Sequence, residues 1–346
     1  MIMAEQLDER SRKILSEVIK SYIVTGEPVG SRTISKRSDL NLSPATVRNV
    51  MADLVEMGLL SQPHSSSGRI PTEHGLRLYV DSILEVEALT PAEKGAIERK
   101  INTRGYDVPE MLQETSRVLS RLSKLTSVVT APLVSSVRLK HIEFLLLRKR
   151  IVLAILVDQT GLVQNKVIET HDDLLKSDLE KFTLYLNDLL NDLTLREIRK
   201  KIVQEMKKEK NRFDELMSRA LRLSEQAFSE TGDSTVYIQG QSSFLDQQEF
   251  ANLDTMKIIF RALEEKTKLI NLLSKTMKAD GVQIFIGSEC NLEGLEDVSF
   301  ITSPYKKGYF PLGVLAVIGP ARMNYSKVIP MVDYTARMVT NIFNNL

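Results

Sequence analysis

Apolar positions near the start of the chain recur every three to four residues. Between Asp8 and Thr25, Ile14, Leu15, Val18, Ile19, Tyr22 and Ile23 form one broad stripe, which predicts an amphipathic helix closed by Gly26. Gly30-Ser31 opens a short helix, Arg32 to Arg37, with Ile34 turned inward, and Asp39-Leu40-Asn41-Leu42 turns the chain into Ser43. Ser43 is suited to cap a helix, because its hydroxyl can accept an unpaired N–H of the first turn, and Pro44 follows where a missing N–H costs nothing. In that helix Val47, Val50, Met51 and Leu54 share one face, which leaves Ala45, Thr46, Arg48, Asn49 and Asp53 outside. Gly58 stops it. Leu59-Leu60-Ser61-Gln62 and Arg69-Ile70-Pro71-Thr72 then read as two strands joined by a serine-rich tip.

Helix, short helix, capped helix and hairpin is the order of a winged helix-turn-helix. Short, hydrogen-bonding residues on exposed first turns suit approach to base edges in a major groove. A small helical bundle with a surface loop competes on periodicity alone. The Ser-Pro cap, the Met57-Gly58 stop and the Ser65-Ser66-Ser67-Gly68-Arg69 tip favour the winged form.

Further along, the period changes. Ile142 to Leu147 and Ile151 to Val157 are strand-like runs separated by the basic turn Arg148-Lys149-Arg150, and Gly161 to Ile168 alternates as a half-buried strand does. Gly281–Gly287, Val298–Ile301 and Gly313–Gly319 read as more strands. A last helix from Tyr325 turns Val328, Ile329, Val332, Ala336, Val339 and Ile342 inward. Strands, helices, strands and a closing helix predict an α+β class, with one antiparallel sheet and helices on one face. Between the strand groups, Thr194 to Gln248 carries separate helical stripes: Leu195, Ile198 and Ile202, then Phe213, Leu216, Ala220, Leu223 and Ala227. The run Lys207-Lys208-Glu209-Lys210-Asn211-Arg212 interrupts them and reads as a solvated face. Such stripes need a partner, either a second subunit or other parts of this chain.

Net charge adds a constraint. With 46 Lys and Arg against 45 Asp and Glu, the 346-residue chain carries +1, so phosphate contacts would need a local patch. Arg32, Lys36, Arg37, Arg48, Arg69 and Arg77 are the candidates. The single Cys290 excludes an intramolecular disulfide, suits a reducing cytoplasm, and is expected to pack rather than react. No secretory pattern opens the sequence, and the most apolar stretch is too short to span a bilayer, so a soluble intracellular protein is expected. His64, His74, His141 and His171 lack metal-ligand spacing, Asp172-Asp173 reads as a loop or helix start, and Gly281, Gly287 and Gly294 form no phosphate cradle. No catalysis, cofactor or metal is expected.

The segment Ser43 to Asn49, the run His64 to Asp81, the early Pro28-Val29-Gly30-Ser31-Arg32 and the late Tyr309 to Tyr325 pattern together resemble the heat-inducible transcription repressor HrcA family. That resemblance implies a homodimeric repressor of chaperone operons on an inverted-repeat operator, modulated by the chaperonin GroEL. It also implies a winged-helix domain and linker helix over residues 1–88, and a GAF-like antiparallel α/β domain in two parts, 89–193 and 251–346. Residues 194–250 would be an inserted, mainly helical dimerisation domain. The expected DNA-binding residues are Arg32, Ser43, Ala45, Thr46, Arg48, Asn49, His64, Ser67 and Arg69. Arg48 and Asn49 would face bases, helped by Thr46 and Ala45, Ser43 would anchor a phosphate, and Arg69 would reach the adjacent minor groove or backbone. A metabolite-responsive regulator, its GAF-like domain binding a small effector, is the alternative.

Overall fold

The computed structural model describes residues 7–37, 42–64, 67–101, 107–132, 138–159, 163–170, 173–190, 193, 197–198, 200–201, 204, 215–228, 235–291 and 294–345. Helix α1 (Glu9–Thr25) is capped by Asp8, whose carboxylate accepts from the Ser11 amide at 2.8 Å. That bonding holds the Asp8 carboxyl below the usual carboxylate range. Gly26 ends the helix at φ 70°, a left-handed conformation that glycine adopts without a Cβ penalty. Next come α2 (Ser31–Arg37), α3 (Pro44–Glu56), the short strands β1 (Leu60–Ser61) and β2 (Ile70–Pro71), and α4 (Glu73–Ser82). Ile14, Leu15, Val18, Ile19, Ile34, Val47, Met51 and Leu54 are all buried, so the three predicted helical faces meet in one core.

After an irregular connection follow α5 (Pro91–Ile101), α6 (Val108–Ser123), β3 (Thr126–Thr130), β4 (Leu139–Arg148), β5 (Ile151–Asp158), β6 (Val163–Glu169), α7 (Lys176–Leu190) and α8 (Glu215–Phe228). The remainder is β7 (Val236–Gln239), α9 (Leu253–Glu264), α10 (Lys266–Thr276), β8 (Gln283–Ile286), β9 (Val298–Lys307), β10 (Phe310–Pro320) and α11 (Tyr325–Asn345). The strands pair antiparallel into two larger sheets, ordered β7-β3-β10-β9-β8 and β4-β5-β6.

Two expectations change here. The meander Ile142–Ile168 does not join the later strands. It forms its own sheet and packs on α7 and α8 around Ile142, Phe144, Val152, Leu179, Phe182, Leu186 and Leu221. A unit with its own core therefore starts at Leu139 rather than near Thr194, and it includes Ile198, Ala220, Leu223 and Ala227. Val236–Gln239, inside the stretch expected as insertion, instead pairs with Thr126–Thr130 in the five-stranded sheet. Leu195, Ile202, Phe213 and the charge run Lys207–Arg212 lie outside the described residues.

Helices also cover both faces of the five-stranded sheet, not one. Along β10, Leu315 and Val317 enter the cluster shared with α6 and α11, while Val314, Ala316 and Ile318 enter the one shared with α9 and α10. Alternation sends successive side chains to opposite faces, so an unbroken apolar strand needs cover on both. The first of these clusters runs without a break from α1 through α4 into the sheet and α11. The N-terminal unit thus rests directly on the α+β body.

Candidate nucleic-acid interface

α3 has the construction read from the sequence. The Ser43 hydroxyl accepts from the Thr46 amide at 3.1 Å and lies 3.0 Å from the Thr46 hydroxyl, and Pro44 takes the first turn. Val47, Val50, Met51 and Leu54 are buried. Ala45, Arg48, Asn49 and Asp53 are exposed on the opposite side, with Thr46 half-buried at their edge. The helix is about 20 Å long at 1.5 Å per residue. Its outward face therefore presents one small, one amide and one cationic side chain on the first two turns. Arg32 and Lys36 of α2 are exposed nearby in sequence and add positive charge; the Arg37 side chain lies outside the described residues.

The hairpin is tighter than the sequence suggests. β1 and β2 pair Leu60 with Pro71 and Ser61 with Ile70. Val29 adds a third short edge: its amide donates to the Arg69 carbonyl and the Arg69 amide donates back, both at 2.9 Å. Gly68 makes this possible, since a Cβ there would stand 2.5 Å from the Val29 backbone. Gly75 serves likewise, because a Cβ would meet the Leu59 carbonyl oxygen at 2.0 Å. At the tip, the Ser67 hydroxyl donates to the His64 carbonyl at 2.7 Å and accepts from the His64 amide at 3.0 Å. Ser65 and Ser66 lie outside the described residues. Arg69 sits at the bridge to Val29 just before β2, not at the tip. Its side chain is half-buried, with Nη1 folded 3.5 Å from the Ser67 carbonyl oxygen.

Arg77 does not belong to the patch. Its guanidinium forks onto Glu289 of the body, with Nε 2.8 Å from Oε1, and also donates to the Ile284 carbonyl at 2.7 Å. Sequence reasoning missed this role, as it missed Val29 as a strand edge; the Pro28-Val29-Gly30 run, an extended dipeptide before a helix start, was the available signal.

Other candidate chemistry resolves into packing and ion pairs. Cys290 is buried beside Val298, and burial pushes its thiol up to about 12. Asp173 bridges Lys149 at 3.0 Å and Arg150 at 3.1 Å, and the hydrogen bond from Lys149 leads in holding its carboxyl below the usual range. His64, His74 and His141 are exposed, while His171 and Asp172 lie outside the described residues. Among the described residues no group of three or more His, Cys, Asp or Glu is placed to hold a metal ion. No helix among them is long and apolar enough to cross a membrane.

A capped helix with a polar outward face, braced by a three-edged hairpin, is thus mounted on an α+β body. Residues 109–329 match the family model described as the HrcA protein C terminal domain. The heat-inducible transcription repressor HrcA of Geobacter sulfurreducens is 48% identical over 97% of this chain and 98% of its own. Its namesake from Syntrophobacter fumaroxidans is 46% identical over 97% of each. The chain belongs to the HrcA family of heat-inducible transcription repressors, which is not a family of enzymes. A crystal structure of a hypothetical protein, at 23% identity, superimposes with a TM-score of 0.65 over 98% of this chain and 99% of that one, a likeness of fold.

Proposed function

We propose that residues 1–88 hold a winged helix-turn-helix that reads an inverted-repeat operator of chaperone operons, as one half of a homodimeric cytoplasmic repressor. The observation that carries this is the outward face of α3, where Ala45, Arg48 and Asn49 stand exposed over a fully packed inner face. In this reading Arg48 and Asn49 meet base edges with Ala45 and Thr46 beside them, and Ser43 and the helix start approach a phosphate. Arg32, His64 and Ser67 lie along the backbone. Arg69 braces the hairpin and contacts the neighbouring groove.

The β4-β5-β6 sheet supports the homodimer. Its outer face aligns Leu145, Leu153 and Val167 in one cross-strand row and Val157 and Val163 in another. Val163 and Val167 are more than half exposed on it. Apolar rows on an open sheet face are suited to a second copy related by a two-fold axis, and that symmetry matches an inverted repeat. The two-part α+β body is proposed to be GAF-like, and modulation by the chaperonin GroEL is supported by the family resemblance alone.

A gel-shift titration against an inverted-repeat chaperone promoter, with scrambled competitor, tests the core of the reading. Retention of the promoter complex under excess competitor is expected. Equal loss to both DNAs would refute sequence-specific operator binding.

A further inference from the structure

Beside the apolar cluster that joins the N-terminal unit to the body, the seam carries charged groups that have no part in the α3 face. Glu73 and Arg77 stand one turn apart on α4, hence on one side of the helix. Both land on the same body turn, Gly287–Cys290. The Glu73 carboxylate accepts from the Ser288 amide at 3.1 Å and from its hydroxyl at 2.5 Å. Arg77 forks onto Glu289, whose Oε2 is itself fixed by the Ile286 amide at 2.9 Å. A second arginine works in the opposite direction: Arg322 of the body donates to the Ile23 carbonyl in the last turn of α1 at 2.9 Å and pairs with Glu249. The connection after α4 is tied down as well. Pro330 in α11 has no N–H for the Ser326 carbonyl one turn earlier, and the Glu87 amide donates to that carbonyl at 3.1 Å.

We propose that Arg77 is a positioning residue for DNA recognition: its fork onto Glu289 sets the orientation of the reading unit on the body, and thereby the separation of the two α3 helices in the dimer. The proposal rests on the operator-binding reading above. Arg77 is one-quarter exposed, so its fork is partly shielded from water, and a bidentate pair fixes direction as well as distance. Two readers held rigidly engage only half-sites at the matching separation; readers on loose tethers accept a range of separations at lower effective concentration.

The test uses full-length protein and a series of operators whose half-sites are unchanged while the spacer between them is lengthened or shortened. Wild type is expected to prefer one spacer by about tenfold or more. Arg77→Gln and Glu289→Gln should each flatten that preference to about twofold while binding to an isolated half-site holds within about twofold. Arg77→Lys keeps the cation without the fork and should fall between them. Thermal unfolding is followed for all three. An unchanged spacer preference in Arg77→Gln and Glu289→Gln overturns the proposal. So does a loss of half-site binding that tracks a loss of stability, which would make the fork merely structural. If wild type itself fails to distinguish operator from scrambled DNA, the operator-binding reading fails instead.

Discussion

The outer face of the β4-β5-β6 sheet gives the proposed dimer its most direct test, through Leu145→Ala combined with Val167→Ala. Both side chains lie in the row that also holds Leu153, with Leu145 39% and Val167 61% exposed. Full burial of a leucine or valine side chain contributes about 1.5–3 kcal/mol, so the part still in water is worth roughly 1 kcal/mol for each. A two-fold interface counts every position twice. Two truncations across two protomers therefore remove about 4 kcal/mol, which is roughly three decades in the dimer dissociation constant. Sedimentation equilibrium over a wide concentration range measures this directly. The fold should survive, because neither side chain belongs to the buried set around Phe144, Val152 and Phe182. A double variant that dimerises within about threefold of wild type would show that this face is not the interface, since the area argument leaves no room for so small a change. A wild type that remains monomeric at all concentrations would refute the dimer itself.

Other consequences are narrower. Ser43→Ala removes the acceptor for the Thr46 amide and should cost about 1 kcal/mol in thermal unfolding, whereas Ser43→Asp should retain most of it; equal losses would show that the cap contributes little. Arg48→Ala should lose about 1–3 kcal/mol of discrimination at one base pair in a set of operator variants, and uniform weakening on all sequences would reassign Arg48 to a phosphate. Cys290 should resist a thiol reagent at pH 8 in the folded protein and take up one equivalent after denaturation, because its thiol is pushed up to about 12 by burial. With that folded value raised, the folded state holds the thiol proton above about pH 8.5 where the unfolded chain releases it, so the contribution to stability is present below that pH and falls as pH rises toward 12. Rapid native-state labelling would contradict the burial.

What was legible in the sequence was local. A cap such as Ser43-Pro44, a stripe such as Val47 to Leu54 and a stop such as Gly58 each act within a turn or two, so α3 follows from its own residues. The strands β9 and β10 were legible for a similar reason, since each carries a local apolar run, Phe300-Ile301 and Val314 to Ile318, into the core. Partition between sheets was not. Thr126–Thr130 and Val236–Gln239 are short, mixed segments whose strand character comes from pairing with each other across more than a hundred residues of intervening chain. Arg77 shows the same limit at the level of one side chain. Its sequence neighbours Gly75, Leu76 and Leu78 say nothing of Glu289, 212 positions away. From sequence alone Arg77 reads as a candidate phosphate contact, while the fold uses it as a tie.

The seam also bears on how far the reading unit and the body can behave independently. Apolar residues of α1, α3 and α4 belong to the same buried cluster as Ile301, Leu315 and Val317 of the five-stranded sheet and Val332 and Val339 of α11. The β4-β5-β6 unit has a separate cluster, and so does the far face of the sheet. Segments that share a continuous core open together, whereas segments with separate cores can open apart. Loosening of α11 or of the sheet face beneath it withdraws support from α1 and α4, and with them from the helix that presents Arg48 and Asn49. Melting of the β4-β5-β6 unit leaves that cluster intact and, in the proposed dimer, would separate the two copies of the chain. If the proposed dimer binds its operator in pairs, heat would have two routes to losing that binding, one through the shared core and one through the sheet face. Hydrogen exchange separates them: amides of α3 should exchange in step with those of α11 if the shared core yields first, and should stay protected while β4 to β6 exchange if it does not.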